Sequence, residues 1–193
     1  RQSLMFSATM APKIRSLAKE ILHNPEGLRV AISKPADGVT QKVYLAHEEQ
    51  KVALVRHVLG DKDDFQSIIV FCSTKKKVEK LARTLLQKGY SCQGISSDYE
   101  QDAREEALRD FRSGKIRIMV ATDIDIKGID LVINYDVPGD AEDYVHRIGR
   151  TARAKTEGMA ITLVSADDMF KFSKIERLID RELEKEQPPK EIG

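Results

Sequence analysis

The run His146-Arg147-Ile148-Gly149-Arg150-Thr151-Ala152-Arg153 sets one histidine and three arginines within eight residues. On a helix of 3.6 residues per turn, His146, Arg150 and Arg153 fall at i, i+4 and i+7 and share a face. Tyr144, Val145, Ile148 and Ala152 take a different face, toward a core. Like charges gathered on one stripe repel, which weakens a helix unless an anion lies nearby. A triphosphate suits the pattern, because guanidinium forks match phosphate oxygens in pairs. A solvated basic face is the plain alternative. Gly149 weighs toward a ligand: a glycine in mid-helix costs about 1 kcal/mol relative to alanine, and close approach of a backbone or a ligand would account for it.

Such a face needs a scaffold. Short β-branched runs read as buried strands at Lys42–Ala46, Ser67–Cys72, Ser91–Ile95, Ile116–Ala121, Leu131–Tyr135 and Met159–Val164. Helical spacing lies between them, over Glu48–Leu59, Lys75–Lys88, Gln101–Phe111 and Ala141–Ala152. Alternating strands and helices, with strands that are nearly continuous apolar runs, predict an α/β fold: a mainly parallel sheet covered by helices on both faces. Pro12–His23 reads as a further helix. Ser33–Gly38 is turn-rich and reads as a linker. Ser165-Ala166-Asp167-Asp168 resembles a capping box opening a last helix, periodic through Phe172, Ile175, Leu178, Ile179 and Leu183 and ended by Gln187–Lys190. The expected divisions are 1–32, a linker at 33–38, a main domain at 39–183 and a tail at 184–193.

The bulk numbers narrow the function. Charged residues make up 33% of the 193, yet the net charge is only +1, so any nucleic-acid surface must be a local patch. Cys72 and Cys92 lack metal-ligand spacing and read as reduced thiols of a cytoplasmic protein. No metal site is expected. No apolar run approaches membrane-spanning length, and no signal peptide is seen. The chain opens without Met on Arg1–Phe6, which reads as the middle of a buried strand, so a piece of a longer protein is expected.

Several segments together resemble the DEAD-box RNA helicases. His146–Arg153 is similar to their motif VI. Ser7-Ala8-Thr9, after Leu4-Met5-Phe6, resembles motif III, and Ile69–Thr74 resembles motif IV. Gln101-Asp102-Ala103-Arg104 fits the Gln-x-x-Arg element, Ala121-Thr122-Asp123 opens motif V, and Ile133–Pro138 fits the strand and turn before motif VI. The six elements keep the family's order along nearly the whole chain. The resemblance implies the second, C-terminal RecA-like domain, a three-layer fold of the P-loop NTPase type, with residues 1–32 left from the end of the first. The phosphate loop and the Asp-Glu-Ala-Asp motif of the first domain are absent; Gly114-Lys115 runs into Ile116, with Arg109 where a phosphate loop would need its first glycine.

The roles implied are these. Arg150 and Arg153 would be arginine fingers on the γ-phosphate of ATP, with His146 coupling to Ser7 and Thr9 across the domain cleft. Arg147, off that face, would make a structural salt bridge. Thr122, Gln101, Arg104 and Ser73 would hold RNA phosphates and sugars, contacts that position without reading sequence. Capping is the alternative for Ser7 and Thr9, a solvated first turn for Gln101 and Arg104. ATP with Mg2+ would be bound mostly by the N-terminal RecA-like domain, RNA would be the other partner, and a monomer is expected. This chain by itself would be inactive, its arginines exposed and mobile.

One departure stands out. The family follows Ala-Thr-Asp with a stretch ending Arg-Gly-x-Asp, but here Asp123 runs into Ile124-Asp125-Ile126-Lys127-Gly128-Ile129-Asp130. Either Ile124-Asp125 is the tail of that motif, with a few residues of the pattern missing after Asp123, or Lys127–Asp130 is the motif with Lys for Arg. The first alignment is preferred; it puts Leu131 in register at the next strand and makes Asp125 the candidate ribose contact, with an ordinary loop carboxylate as alternative. A non-catalytic RNA-binding or docking module and a DNA-directed helicase of the same superfamily are the competing functions.

Overall fold

The computed structural model describes residues 3–6, 12–28, 38–60, 65–151 and 158–192. The chain divides into two compact units, 1–33 and 34–193. In the first, α1 (Pro12–Ile21) is a ten-residue helix that buries Ala18. Ser3–Phe6 forms no strand, contrary to expectation, and leaves Leu4 and Phe6 exposed. A strand needs a ladder to satisfy its amides, and the described residues of this unit offer none. Ser7, Thr9 and the 33–37 part of the linker lie outside the described residues.

The second unit alternates strand and helix: β1 (Val39–Leu45), α2 (Glu48–Leu59), β2 (Ile68–Phe71), α3 (Lys75–Gln87), β3 (Cys92–Ile95), α4 (Gln101–Arg112), β4 (Ile118–Ala121), β5 (Leu131–Asn134), α5 (Ala141–Ile148), β6 (Gly158–Val164), α6 (Met169–Ile179) and β7 (Lys185–Glu186). The sheet is parallel at every pairing, in the order β3-β4-β2-β5-β6-β1-β7. The β2, β4 and β5 strands are buried along their whole length, the mark of a parallel sheet covered on both sides.

Alternation along β2 shows the three layers. Ile68 and Val70 face Leu54 and Leu59 of α2 and Leu81 and Leu85 of α3. Ile69 and Phe71 face the other way, with Ala107 and Phe111 of α4. On that same side Tyr144, Val145 and Ile148 of α5 pack with Phe172, Ile175 and Ile179 of α6 over Val43 and Val164. Strands β4, β2 and β5 lie flush, with Phe71 opposite both Ala121 and Asn134. Their carboxyl ends therefore open at one level, which is where ligands of such sheets sit.

Two boundaries differ from expectation. The last helix stops at Ile179 because Asp180 takes a left-handed conformation, φ 53°, and turns the chain back. The expected tail then re-enters the domain. Leu183 is buried, Lys185–Glu186 adds an edge strand beside β1, and Ile192 packs on the α2–α3 face. A two-residue strand carries too short a period to be seen in a sequence.

Candidate functional site

At the carboxyl ends of β2 and β4 lies a cleft of about 320 Å³, lined by Phe71, Thr122, Asp123, Ile124, Asp143, His146, Arg147 and Arg150. Its wall is α5. Asp140 caps this helix by accepting the Glu142 amide at 2.9 Å. Tyr144 anchors it: the ring is fully buried, meets Phe172 edge-on at 6.3 Å, and its hydroxyl donates to Gln41 Oε1 at 2.8 Å. Burial pushes that phenol up to about 12. With Tyr144, Val145 and Ile148 committed to the core, His146 and Arg147 are left to line the cleft.

The helix ends four residues earlier than its spacing predicts. It stops at Ile148, and Gly149–Thr151 is a 3-10 turn. Gly149 is thus a cap rather than a mid-helix residue. Its φ of −61° is ordinary, and a Cβ there would meet nothing within 4 Å among the described residues, so neither strain nor crowding among them demands glycine. Close approach occurs instead at Gly158, where β6 begins. A Cβ there would lie 2.3 Å from Thr151 Oγ1 and 2.4 Å from the Thr151 carbonyl oxygen. Thr151 is itself fully buried, its hydroxyl donating to the Ile148 carbonyl at 3.1 Å. Glycine at 158 lets the turn carrying Arg150 sit directly on the sheet.

The arginines are held differently from what was expected. Arg150 is not free: its guanidinium binds the Asp125 carboxylate, and its side chain is only 20% exposed. The Arg150 carbonyl also accepts the Ile129 amide at 3.0 Å. So the turn after α5 and the loop after β4 are joined by side chain and backbone together. Arg147 makes no ion pair among the described residues. It lies over the Phe71 ring at 4.8 Å instead, and its Nη1 is buried with no hydrogen-bond partner. Burial lowers its pKa from the usual guanidinium value, with Asp143, Asp123 and Asp136 opposing the shift. A planar cation stacks well on an aromatic face, and Phe71 at the strand end supplies one.

The residues expected at RNA are dispersed around the same rim. Thr122 lines the cleft. Arg104, in the first turn of α4, donates to the Asp123 carbonyl at 3.3 Å, tying α4 to the loop after β4. Gln101 is exposed and bonds Glu105 at 2.8 Å. Ser73 is exposed at the start of α3. Arg153 lies outside the described residues. The loop from Thr122 to Asp130 buries Ile124, Ile126 and Ile129, and Asp130 accepts from the Gln66 and Ser67 amides at 2.9 and 2.8 Å and from the Ser67 hydroxyl. Leu131 then enters β5 as expected.

One cluster escaped the reading of the sequence altogether. Lys51, fully buried, reaches Glu48 at 3.0 Å and Asp136 at 3.4 Å; Lys77 reaches the same two at 2.7 and 2.6 Å. Both ammonium groups lie near the Tyr135 ring. The signal was available: Lys51, Leu54, Val55 and Leu59 form the buried stripe of α2, so a lysine occupies a core position.

Residues 50–155 match the model of the helicase conserved C-terminal domain. The chain is 40% identical over 195 residues to the DEAD-box ATP-dependent RNA helicase CshA of Geobacillus kaustophilus, covering 98% of this chain and 42% of that protein. It therefore spans less than half the length of that relative. Among solved structures it is similar to S. cerevisiae Dbp5 bound to RNA and ADP BeF3 (TM-score 0.77, 29% identity, 94% of this chain and 50% of that one). It is also similar to the E. coli DEAD-box protein SrmB bound to regulator of ribonuclease activity A (TM-score 0.71, 33% identity, 79% and 91%). The sheet and its flanking helices are thus the RecA-like fold of DEAD-box C-terminal domains.

Proposed function

The chain belongs to the helicase conserved C-terminal domain family in its DEAD-box form, and from that premise we propose that it is the second domain of an ATP-dependent RNA helicase that separates short duplexes locally. In this reading Arg150 and Arg153 complete an ATP site whose phosphate loop belongs to the preceding domain. Such fingers stabilise charge on the transferring phosphoryl group and contribute about 10³–10⁵ in rate in related NTPases. His146 couples that site to Ser7 and Thr9, and Asp125 holds the ribose. Thr122, Gln101, Arg104 and Ser73 hold the RNA backbone.

The observation that carries the reading is the cleft itself. It gathers Arg147, Arg150 and His146 at the carboxyl edge of a parallel sheet, with one arginine nitrogen left buried and unpartnered. Phosphate oxygens fit that donor set. A magnesium ion is a different matter. In this reading the Mg2+ that accompanies ATP is held mostly by the preceding domain and by the phosphates themselves. Two free, buried thiols, Cys72 and Cys92, each pushed up to about 12 by burial, accord with work in the cytoplasm. The protein acts as a monomer, and this chain by itself does not hydrolyse ATP.

The test joins this chain to its natural N-terminal half and measures RNA-stimulated ATP turnover. Arg150→Ala and Arg153→Ala should each lower turnover about a thousandfold. Parent rates in both variants would sink the finger assignment. Stronger stimulation by DNA than by RNA would favour the DNA-directed reading, and turnover indifferent to both nucleic acids would favour a docking module.

A further inference from the structure

The cluster of Lys51, Lys77, Glu48 and Asp136, with Lys51 and Asp136 buried at its centre, lies outside the lining of the cleft. Asp136 follows the end of β5, and its own amide and that of Tyr135 both reach the Phe71 carbonyl at the exit of β2. From there its carboxylate spans to the next connection. One oxygen accepts the Ser73 amide at 2.7 Å; the other accepts Lys77 at 2.6 Å and Lys51 at 3.4 Å. Ser73 and Lys77 flank the start of α3, where Thr74 caps the helix by accepting the Lys77 amide. Asp136 therefore grips the Ser73–Lys77 turn at both ends, while Lys51, buried and tied to Glu48, holds Asp136 from beneath.

The arrangement is more than a filler of the core. The Lys51–Asp136 pair is buried, and a buried ion pair contributes little net stability against an apolar replacement, so stability alone does not account for it. The first turn of α3 carries Lys75, Lys76 and Lys77 and no acid, the reverse of what a helix N-terminus favours. Of these, Lys77 is neutralised by the cluster, and Lys75 pairs with Asp98 at the surface. The turn that Asp136 holds therefore depends on acids from elsewhere in the chain to offset its lysines, and it leaves Ser73 exposed.

We propose that Asp136 is a positioning residue for RNA binding, acting through Ser73 by fixing the turn between β2 and α3, with Lys77 and Lys51 as its supports. The inference rests on the reading of Ser73 as an RNA contact. It assigns the cluster a task separate from ATP hydrolysis. Loosening the clamp lets the Ser73 turn move while the cleft at Arg150, held by Gly158 and Asp125, stays in place.

The experiment uses the full two-domain protein and a single-stranded RNA of fixed length. It reads the RNA concentration for half-maximal ATPase, turnover at saturating RNA, the ATP concentration for half-maximal rate, and the melting temperature. Asp136→Ala removes a charge-assisted acceptor and should raise the RNA requirement about tenfold, leaving the ATP requirement and saturated turnover within about twofold. Lys77→Gln, at a site one-third exposed, removes one support and should shift the RNA requirement the same way by about threefold; it decides the matter if Asp136→Ala does not fold. A lowered melting temperature with an unchanged RNA requirement would show the cluster to be structural only and overturn the proposal. Arg104→Ala and Thr122→Val serve as reference. If they raise the RNA requirement and the clamp variants do not, the positioning role alone falls; if none of the four moves it, the RNA reading falls and takes the proposal with it.

Discussion

Two groups of cations stand on the same sheet edge and are treated in opposite ways. In the clamp, Lys51 and Lys77 are matched by Glu48 and Asp136, so charge and hydrogen bonds close among themselves. In the cleft, Arg147 has a buried nitrogen with no partner, and Arg150 leans on an Asp125 that is 85% exposed. An exposed carboxylate is a weak and replaceable partner. The first group closes within the chain; in the second, among the described residues, a buried donor stays open. A stripe of positive charge is thus read by what remains unsatisfied once the chain has folded, not by how many cations it contains.

The contrast can be broken or sharpened by substitution. The largest expected effect is a double dissociation. Arg150→Ala should cut turnover about a thousandfold in the two-domain protein with little change in its melting temperature. Asp136→Ala should do the reverse, destabilising by about 3 kcal/mol, because it leaves Lys51 buried with Glu48 alone. Urea melts and ATPase on both variants check the pair; equal losses on both axes would erase the distinction.

Next comes the seat of the Arg150 turn. Gly158→Ala places a methyl group 2.3 Å from Thr151 Oγ1, against buried backbone that cannot yield cheaply. A loss of about 2 kcal/mol is expected, with turnover falling in parallel as Arg150 shifts. Denaturant midpoint and turnover measured together test the coupling, and a variant as stable as the parent would show the contact to be dispensable.

A smaller effect separates the two groups by pH. Hydrogen bonds from Lys77 and Ser73 hold Asp136 below the ordinary value of 3.8, against the opposing pull of burial. Glu48 is likewise held below 4.5 by Lys77 and Lys51, again against burial. Groups with depressed folded values contribute stability that is complete above their ordinary values and disappears as pH falls through the folded ones. Acid should therefore loosen the clamp below about pH 4, and Asp136→Asn should flatten that part of the stability profile. An unchanged profile in the variant would place the acid sensitivity elsewhere. The smallest effect is at Gly149, where alanine meets open space at a φ of −61°. Gly149→Ala should be neutral or more stable by about 0.5 kcal/mol, setting the two glycines of this region apart by thermal melts.

Much of the fold was legible because its signals are local. The strands β2 and β4 are unbroken apolar runs, β5 is one up to Asn134, and α2 was bounded at Glu48–Leu59 by spacing alone. The segment Lys185–Glu186 was not legible, since two residues have no period and its pairing with β1 is set by the left-handed turn at Asp180. The site was half legible. His146, Arg147, Arg150 and Thr122 do line one cleft. The helix expected over Ala141–Ala152 was too long, because α5 stops at Ile148 and a 3-10 turn carries Arg150.

By itself the sequence determined the alternation of strand and helix, the parallel sheet it implies, and the set of cationic residues available at one edge. Apolar periodicity and residue type suffice for that, since both act over a few neighbouring positions. Only the tertiary structure decided which cations are spoken for. Asp136 lies 59 residues from Lys77 and 85 from Lys51 in the chain, and Phe71 is likewise distant in sequence from Arg147. Their meetings depend on strand order, and a pairing between distant residues leaves no trace in the local pattern from which a sequence is read.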